Sequence, residues 1–277
     1  MGKGRLGIAI IGLSALLSTA TIFADATITL RGIDDAKQTL IQVRNGVVRM
    51  GEQGDPEYSL YDQTRDVLIA VDGRHGTYME FDQAMLQKMS AQMAGMQGMI
   101  AEQMQNMPPE QRAMMEAQMG GMMGLPPADA APGKKLQAES RGGKTVGGVS
   151  CQSYALFDGA RKVADVCMAK AGDIAISAED YATLMAMMDF TRDMTQATSM
   201  MGEPADPLMM SDVQGVPLEM KGSADGDNFT LGSVSQGRLD AGLFEAYKAL
   251  RKQDPMQDAM RGGMPDGMSD HMMDSHP

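Results

Sequence analysis

The chain predicts an α+β fold, an antiparallel sheet interrupted by a methionine-rich helical insertion. Short runs of alternating polar and apolar residues, punctuated by turn-forming pairs, flank the insertion on both sides. Between them Met85, Met89, Met93, Met96, Ile100, Met104 and Met107 advance by four or three residues at each step. That rhythm sets them along one face of a helix. A third run, from Ser177 to about Met201, has helical character of its own and is stopped by Gly202 and Pro204.

The first residues read as an export signal. Lys3 and Arg5 precede an apolar run from Leu6 to Leu17, and Ala24-Asp25-Ala26 supplies an A-x-A cleavage pattern. Residues 1–26 are expected to be a signal peptide, with the mature chain beginning near Thr27. The run is short for a membrane span and no second candidate follows. The expected product is a periplasmic protein, soluble after cleavage, with no stable span. No cysteine stands near the cut to take a lipid.

Residues 27–252 form the expected domain. Thr27–Gly32 reads as a strand, and Leu40–Arg44 and Val47–Met50 flank Asn45-Gly46, a strong hairpin signal. Tyr58–Asp62, Val67–Val71 and Thr77–Phe81 continue a meander whose alternation suits a sheet with one wet face. The insertion and its linker occupy residues 83–133, broken at Met107-Pro108-Pro109 and ending in a Pro- and Ala-rich stretch. Strands resume at Lys135–Ser140, Val149–Phe157 and Arg161–Ala169. Ser177-Ala178-Glu179-Asp180 resembles a capping box with Asp in place of Glu. Strands near Val216–Lys221 and Asn228–Val234 lead to a short helix around Ala241–Lys252. The tail, residues 253–277, is rich in Gly, Pro, Asp and Met and is expected to be disordered.

The net charge is −12, and removing residues 1–26 makes it one unit more negative, since Lys3, Arg5 and Asp25 leave together. Nucleic acids and anionic membrane surfaces attract basic patches, so neither is an expected partner. Aromatics are 4% of the chain and tryptophan is absent, while 31 residues are methionine. The core must therefore be aliphatic and methionine-built.

Cys151 and Cys167 lie on consecutive predicted strands, and export favours their oxidation to a disulfide. A three-residue turn Asp158-Gly159-Ala160 sets them directly opposite one another. A two-residue turn Asp158-Gly159 shifts the register by one and points them to opposite faces.

Gly142-Gly143-Lys144-Thr145-Val146-Gly147-Gly148-Val149-Ser150-Cys151-Gln152-Ser153-Tyr154, followed by Val163–Met168, resembles the second half of a family of exported bacterial domains of unknown function. Val47–Met50 and Thr77–Glu80 are similar to its two earlier signatures, and Leu243-Phe244-Glu245 to its closing motif, with Ala246 where a Pro often follows. That family is itself similar to the periplasmic lipoprotein carriers and receptors. The resemblance implies a curved antiparallel half-barrel covered by helices around an apolar concavity, and no catalytic residues.

Catalytic signals are sparse. Three histidines occur: His75 in a predicted turn, and His271 and His276 in the tail. Ser233-Val234-Ser235-Gln236-Gly237 lacks the leading Gly of a nucleophile elbow, and no metalloprotease or phosphate-loop pattern is present. The expectation is a non-enzymatic binding protein.

Three readings fit the Met stripe. It can pack on itself against Met114, Met115 and Met119. It can form a pliable lid over the sheet, where Met85, Met89, Met93, Met96, Ile100, Met104 and Met107 hold an acyl chain or apolar peptide segment. It can instead dock an envelope protein, as a scaffold. A separate alternative is Cu(I), for which thioethers are soft ligands. In the tail Met256, Met260, Met264, Met268 and Met272 recur where glycines and proline forbid a helix. His271, Met272, Met273 and His276 are the candidate copper ligands, against low-complexity drift as the plainer explanation.

Overall fold

Period-two patterning builds the sheet, and turn residues fix where each strand reverses. The computed structural model describes residues 25–35, 37–88, 90–91, 95, 108, 135–198, 206–222 and 228–254. Among these, β1 (Ala26–Gly32), β2 (Gln38–Arg44), β3 (Val47–Glu52), β4 (Glu57–Asp62), β5 (Val67–Asp72) and β6 (Thr77–Asp82) form one meander. A second consists of β7 (Gln137–Val146), β8 (Val149–Asp158), β9 (Arg161–Ala169), β10 (Val216–Gly222) and β11 (Phe229–Gln236). The two meet where β1 pairs with β11, Ile28 opposite Val234. A short β12 (Arg251–Gln253) adds in parallel beside β6. The result is one open, twelve-stranded sheet in the order β12-β6-β5-β4-β3-β2-β1-β11-β10-β9-β8-β7.

The Asn45-Gly46 hairpin forms as expected. Both residues adopt positive φ (48° and 75°), and Arg44 stands opposite Val47. That pair of left-handed residues matches the twist of the flanking strands. Gly147 and Gly148 do the same between Val146 and Val149.

Apolar residues of β1, β2, β3 and β4 (Ala26, Ile28, Ile41, Val43, Val48 and Tyr61) converge on one core. The helix α1 (Ala178–Thr198) contributes Leu184, Met187 and Phe190 to it, at the spacing of one helix face. Its N-terminus is capped within the predicted box, but differently. The Asp180 N–H donates to Ser177 Oγ at 3.0 Å, and that hydroxyl donates back to the Asp180 carboxylate at 2.8 Å. Burial raises the Asp180 carboxyl above its usual range, against the opposing pull of the Ser177 hydrogen bonds.

Several expectations are corrected. β7 does not stop at Ser140. The register steps between Ser140 and Gly142, where Gly142 sits at φ +93°, and this bulge carries the strand on to Val146. The C-terminal helix is shorter than predicted: α2 (Gly242–Glu245) tightens into a 3₁₀ turn (Ala246–Ala249), and the chain then extends into β12. Nor is the outer face of the first meander wet throughout. Leu60, Val67, Ile69 and Val71, on the side away from α1, are covered by Phe244 and Tyr247.

The Cys151–Cys167 disulfide is present, with Cα atoms 5.6 Å apart, but neither proposed register produces it. The turn is Gly159-Ala160, with Asp158 opposite Arg161. Alone, that register would put the cysteines on opposite faces. A one-residue step between Leu156 and Phe157 restores the parity and sets Ser153 opposite Cys167. The disulfide is therefore diagonal, joining residues two positions apart along the ladder, which strand twist brings within bonding reach.

Candidate binding face

The face of the sheet beneath α1 is apolar from β3 across to β10, where Val216 and Leu218 join the same core. Methionine seals much of it. Met187 is buried there, Met185 and Met194 pack half-buried at its margin, and Met188 is buried in the neighbouring cluster with Val166 and Met168. Beside Met185 and Met188 a small cavity of about 70 Å³ opens, bordered by Asp189, Arg192, Gln214 and Gly215. Gly215 is required there: at φ +130°, an added Cβ would stand 2.6 Å from the Ala169 carbonyl oxygen, against β9. Arg192 donates to Asp189 at 2.6 Å, while its buried Nε has no partner. This seam combines deformable thioethers with a buried guanidinium.

The start of the Met-rich insertion reaches the same core. Residues 83–88 are helical, begun by Asp82, whose carboxylate accepts the Met85 N–H at 2.7 Å. Leu86 is the residue that enters the core, at 5% exposure, whereas neighbouring Met85 is half-buried. Of the predicted stripe, Met85 is described; Met89, Met93, Met96, Ile100, Met104 and Met107 lie outside the described residues. So do His271, Met272, Met273 and His276.

Topology constrains the insertion independently. β6, with β12 beside it, stands at one edge of the sheet and β7 forms the other. The chain from Asp82 to Gln137 therefore links opposite edges. At about 4.8 Å per strand the edges lie roughly 50 Å apart measured along the sheet. Because Leu86 packs into the core shared with α1, this link departs on the α1 side.

Other features lie on the opposite face. On the face away from α1, a cleft of about 370 Å³ lies between Arg44, Asp62 and Arg65 of the sheet side and Phe244, Glu245 and Lys248 of the C-terminal turn. Near it Glu80 accepts Arg65 Nη2 at 2.6 Å and also pairs with Lys252, while Arg65 reaches the Tyr247 hydroxyl at 3.3 Å. Burial works to raise the Glu80 carboxyl, but the hydrogen bonds from Lys252 and Arg65 outweigh it and hold the pKa below its ordinary value. A depressed carboxyl stabilises the fold above its unfolded pKa, and that contribution is lost as pH falls through the folded value. Glu80→Gln is expected to cost about 1 kcal/mol near neutral pH, given the partly exposed partners. Thermal melts at falling pH should show the wild-type advantage shrinking below the ordinary glutamate range.

The remaining predicted positions are plainly placed. His75 is exposed in the β5–β6 turn, its N–H and ring Nδ1 both held by Asp72 (2.9 and 2.6 Å). Ser235 is exposed within β11, opposite Thr27, rather than on a strand-to-helix elbow. Among the described residues, no group of three or more His, Cys, Asp or Glu side chains could hold a metal ion. No described helix is long and apolar enough to cross a membrane. Compared with known proteins, the chain matches no family model and no curated relative.

Proposed function

We propose that this is a non-enzymatic binding protein of the periplasm, built as a half-barrel related to the lipoprotein carriers and receptors. It holds an apolar chain or peptide segment between the sheet and its Met-rich insertion. The observation that carries the reading is topological. The insertion links opposite edges of an open sheet and sets out on the face whose core is apolar. A link that starts and ends there supports the reading of a lid over that face. Methionine suits the task because its unbranched thioether repacks around guests of different shape. Each methylene of a bound chain buried there contributes ~0.8 kcal/mol. The disulfide fits an oxidising compartment.

The test is native mass spectrometry of protein exported in a bacterial envelope and purified without detergent. It is run beside a variant whose residues 92–134 are replaced by a Gly/Ser linker of equal length. Equal length keeps the reach of the link unchanged, so that only its side chains differ. The full chain is expected to carry an adduct of lipid or peptide mass that the variant lacks. A full chain of bare mass, or an adduct retained by the variant, overturns the lid. A copper-sized adduct lost on truncation at Gln253 would transfer the function to the tail.

A further inference from the structure

We infer that the leader is cut between Ala24 and Asp25, two residues before the position that the A-x-A pattern marks. This rests on the exported reading above. Ala26 is fully buried and starts β1, standing opposite Val43 on one side and Gln236 on the other. Asp25 binds the chain that follows β11. Its carbonyl oxygen accepts the Gly237 N–H at 2.9 Å, and its carboxylate accepts the Leu239 N–H at 2.7 Å. The same carboxylate lies 4.0 Å from Arg44 Nε, with its side chain 13% exposed, and the Arg44 guanidinium also donates to the Leu239 carbonyl. Residues 25 and 26 thus tie the start of β1 to the end of β2 and to the segment leading into the C-terminal turn.

A cut after Ala26 would discard that knot. Arg44 would keep its mostly buried position without the facing carboxylate, and the Leu239 N–H would lose its acceptor. A cut after Ala24 keeps every one of these contacts. It also offers the peptidase Ile22-Phe23-Ala24, a small residue before the scissile bond with an aliphatic residue two positions earlier. Water adds across the Ala24–Asp25 peptide bond, leaving a carboxylate on Ala24 of the leader and an α-ammonium on Asp25.

The experiment expresses the full chain with its own leader in an exporting bacterium. N-terminal sequencing and intact mass are then read on the periplasmic fraction. A chain beginning at Asp25 is the expected result. A start at Thr27, or at Thr21 after the alternative Ser18-Thr19-Ala20, overturns this cut while leaving export intact. A chain retaining Met1 in the cytoplasm overturns export and the cut together. Ala24→Leu gives an independent arm. A bulky side chain directly before the scissile bond should abolish processing and hold the precursor at the membrane. If the cut followed Ala26, the same leucine would sit two positions further back and be tolerated. Unchanged processing of Ala24→Leu therefore also overturns the proposal.

Discussion

Phe190→Ala is expected to destabilise the protein by about 3–5 kcal/mol, the largest single-residue effect anticipated. Phe190 is 3% exposed and points from α1 into the core, its ring centroid 5.7 Å from that of Tyr61 on β4. Truncation forfeits the transfer free energy of the ring and leaves a cavity between helix and sheet. Neither neighbour can collapse freely. The Tyr61 hydroxyl is fixed by its hydrogen bond to Asp66 at 2.9 Å, and α1 is pinned near its start by Thr183, which donates to Gln63 at 2.9 Å. A urea midpoint lowered at unchanged slope is the measurement that checks it. Met187→Leu on the same face keeps side-chain volume nearly constant and should cost less than about 1.5 kcal/mol.

Removing the disulfide should cost about 3 kcal/mol, as expected for cross-linked residues 16 apart in sequence. The comparison is the oxidised wild type against Cys151→Ala/Cys167→Ala, which avoids stray thiols. Both sulfurs are buried, so the replacement also removes some packing, and the two contributions act in the same direction. An unchanged midpoint would mean that the β8–β9 ladder and its bulge fix the hairpin alone.

Local chemistry made much of this architecture readable. Strands whose faces differ in burial show alternation, and left-handed turns advertise themselves through Asn45-Gly46. The positions that misled share one cause: a neighbour distant in sequence supplied what the local pattern lacked. Gly142 and Gly143 look like a strand end, yet pairing with Gln152 and Ser153 on β8 carries β7 past them. Leu250 looks like a helix residue, yet the free edge of β6 draws the following residues into β12. Val67, Ile69 and Val71 look like the dry face of a half-wet sheet, but the outer side they occupy is covered by a C-terminal turn far along the chain. The disulfide partners were legible from strand order and the expectation of export. Their diagonal geometry was not, because a bulge between Leu156 and Phe157 carries no compositional mark. Of the proposed binding surface, the sequence showed the methionine rhythm. It held no sign that the insertion joins opposite edges, which follows from β1 pairing with β11.

That same pairing governs the order in which the fold can assemble. Apart from β9 with β10, which α1 separates, the strands of each meander pair with neighbours close in the chain, and such contacts form early. The junction of β1 with β11 instead closes a loop spanning nearly the whole domain, and its entropy must be met before the contact rewards it. A chain that emerges from its N-terminus delivers β1 first and β11 almost last. Until then the first strand presents one unpaired edge and the apolar Ile28 and Leu30, a template for pairing with other chains. The topology therefore favours the joining of two preassembled halves as the slow event of folding, and the interval before it as the period in which a newly made chain most needs protection.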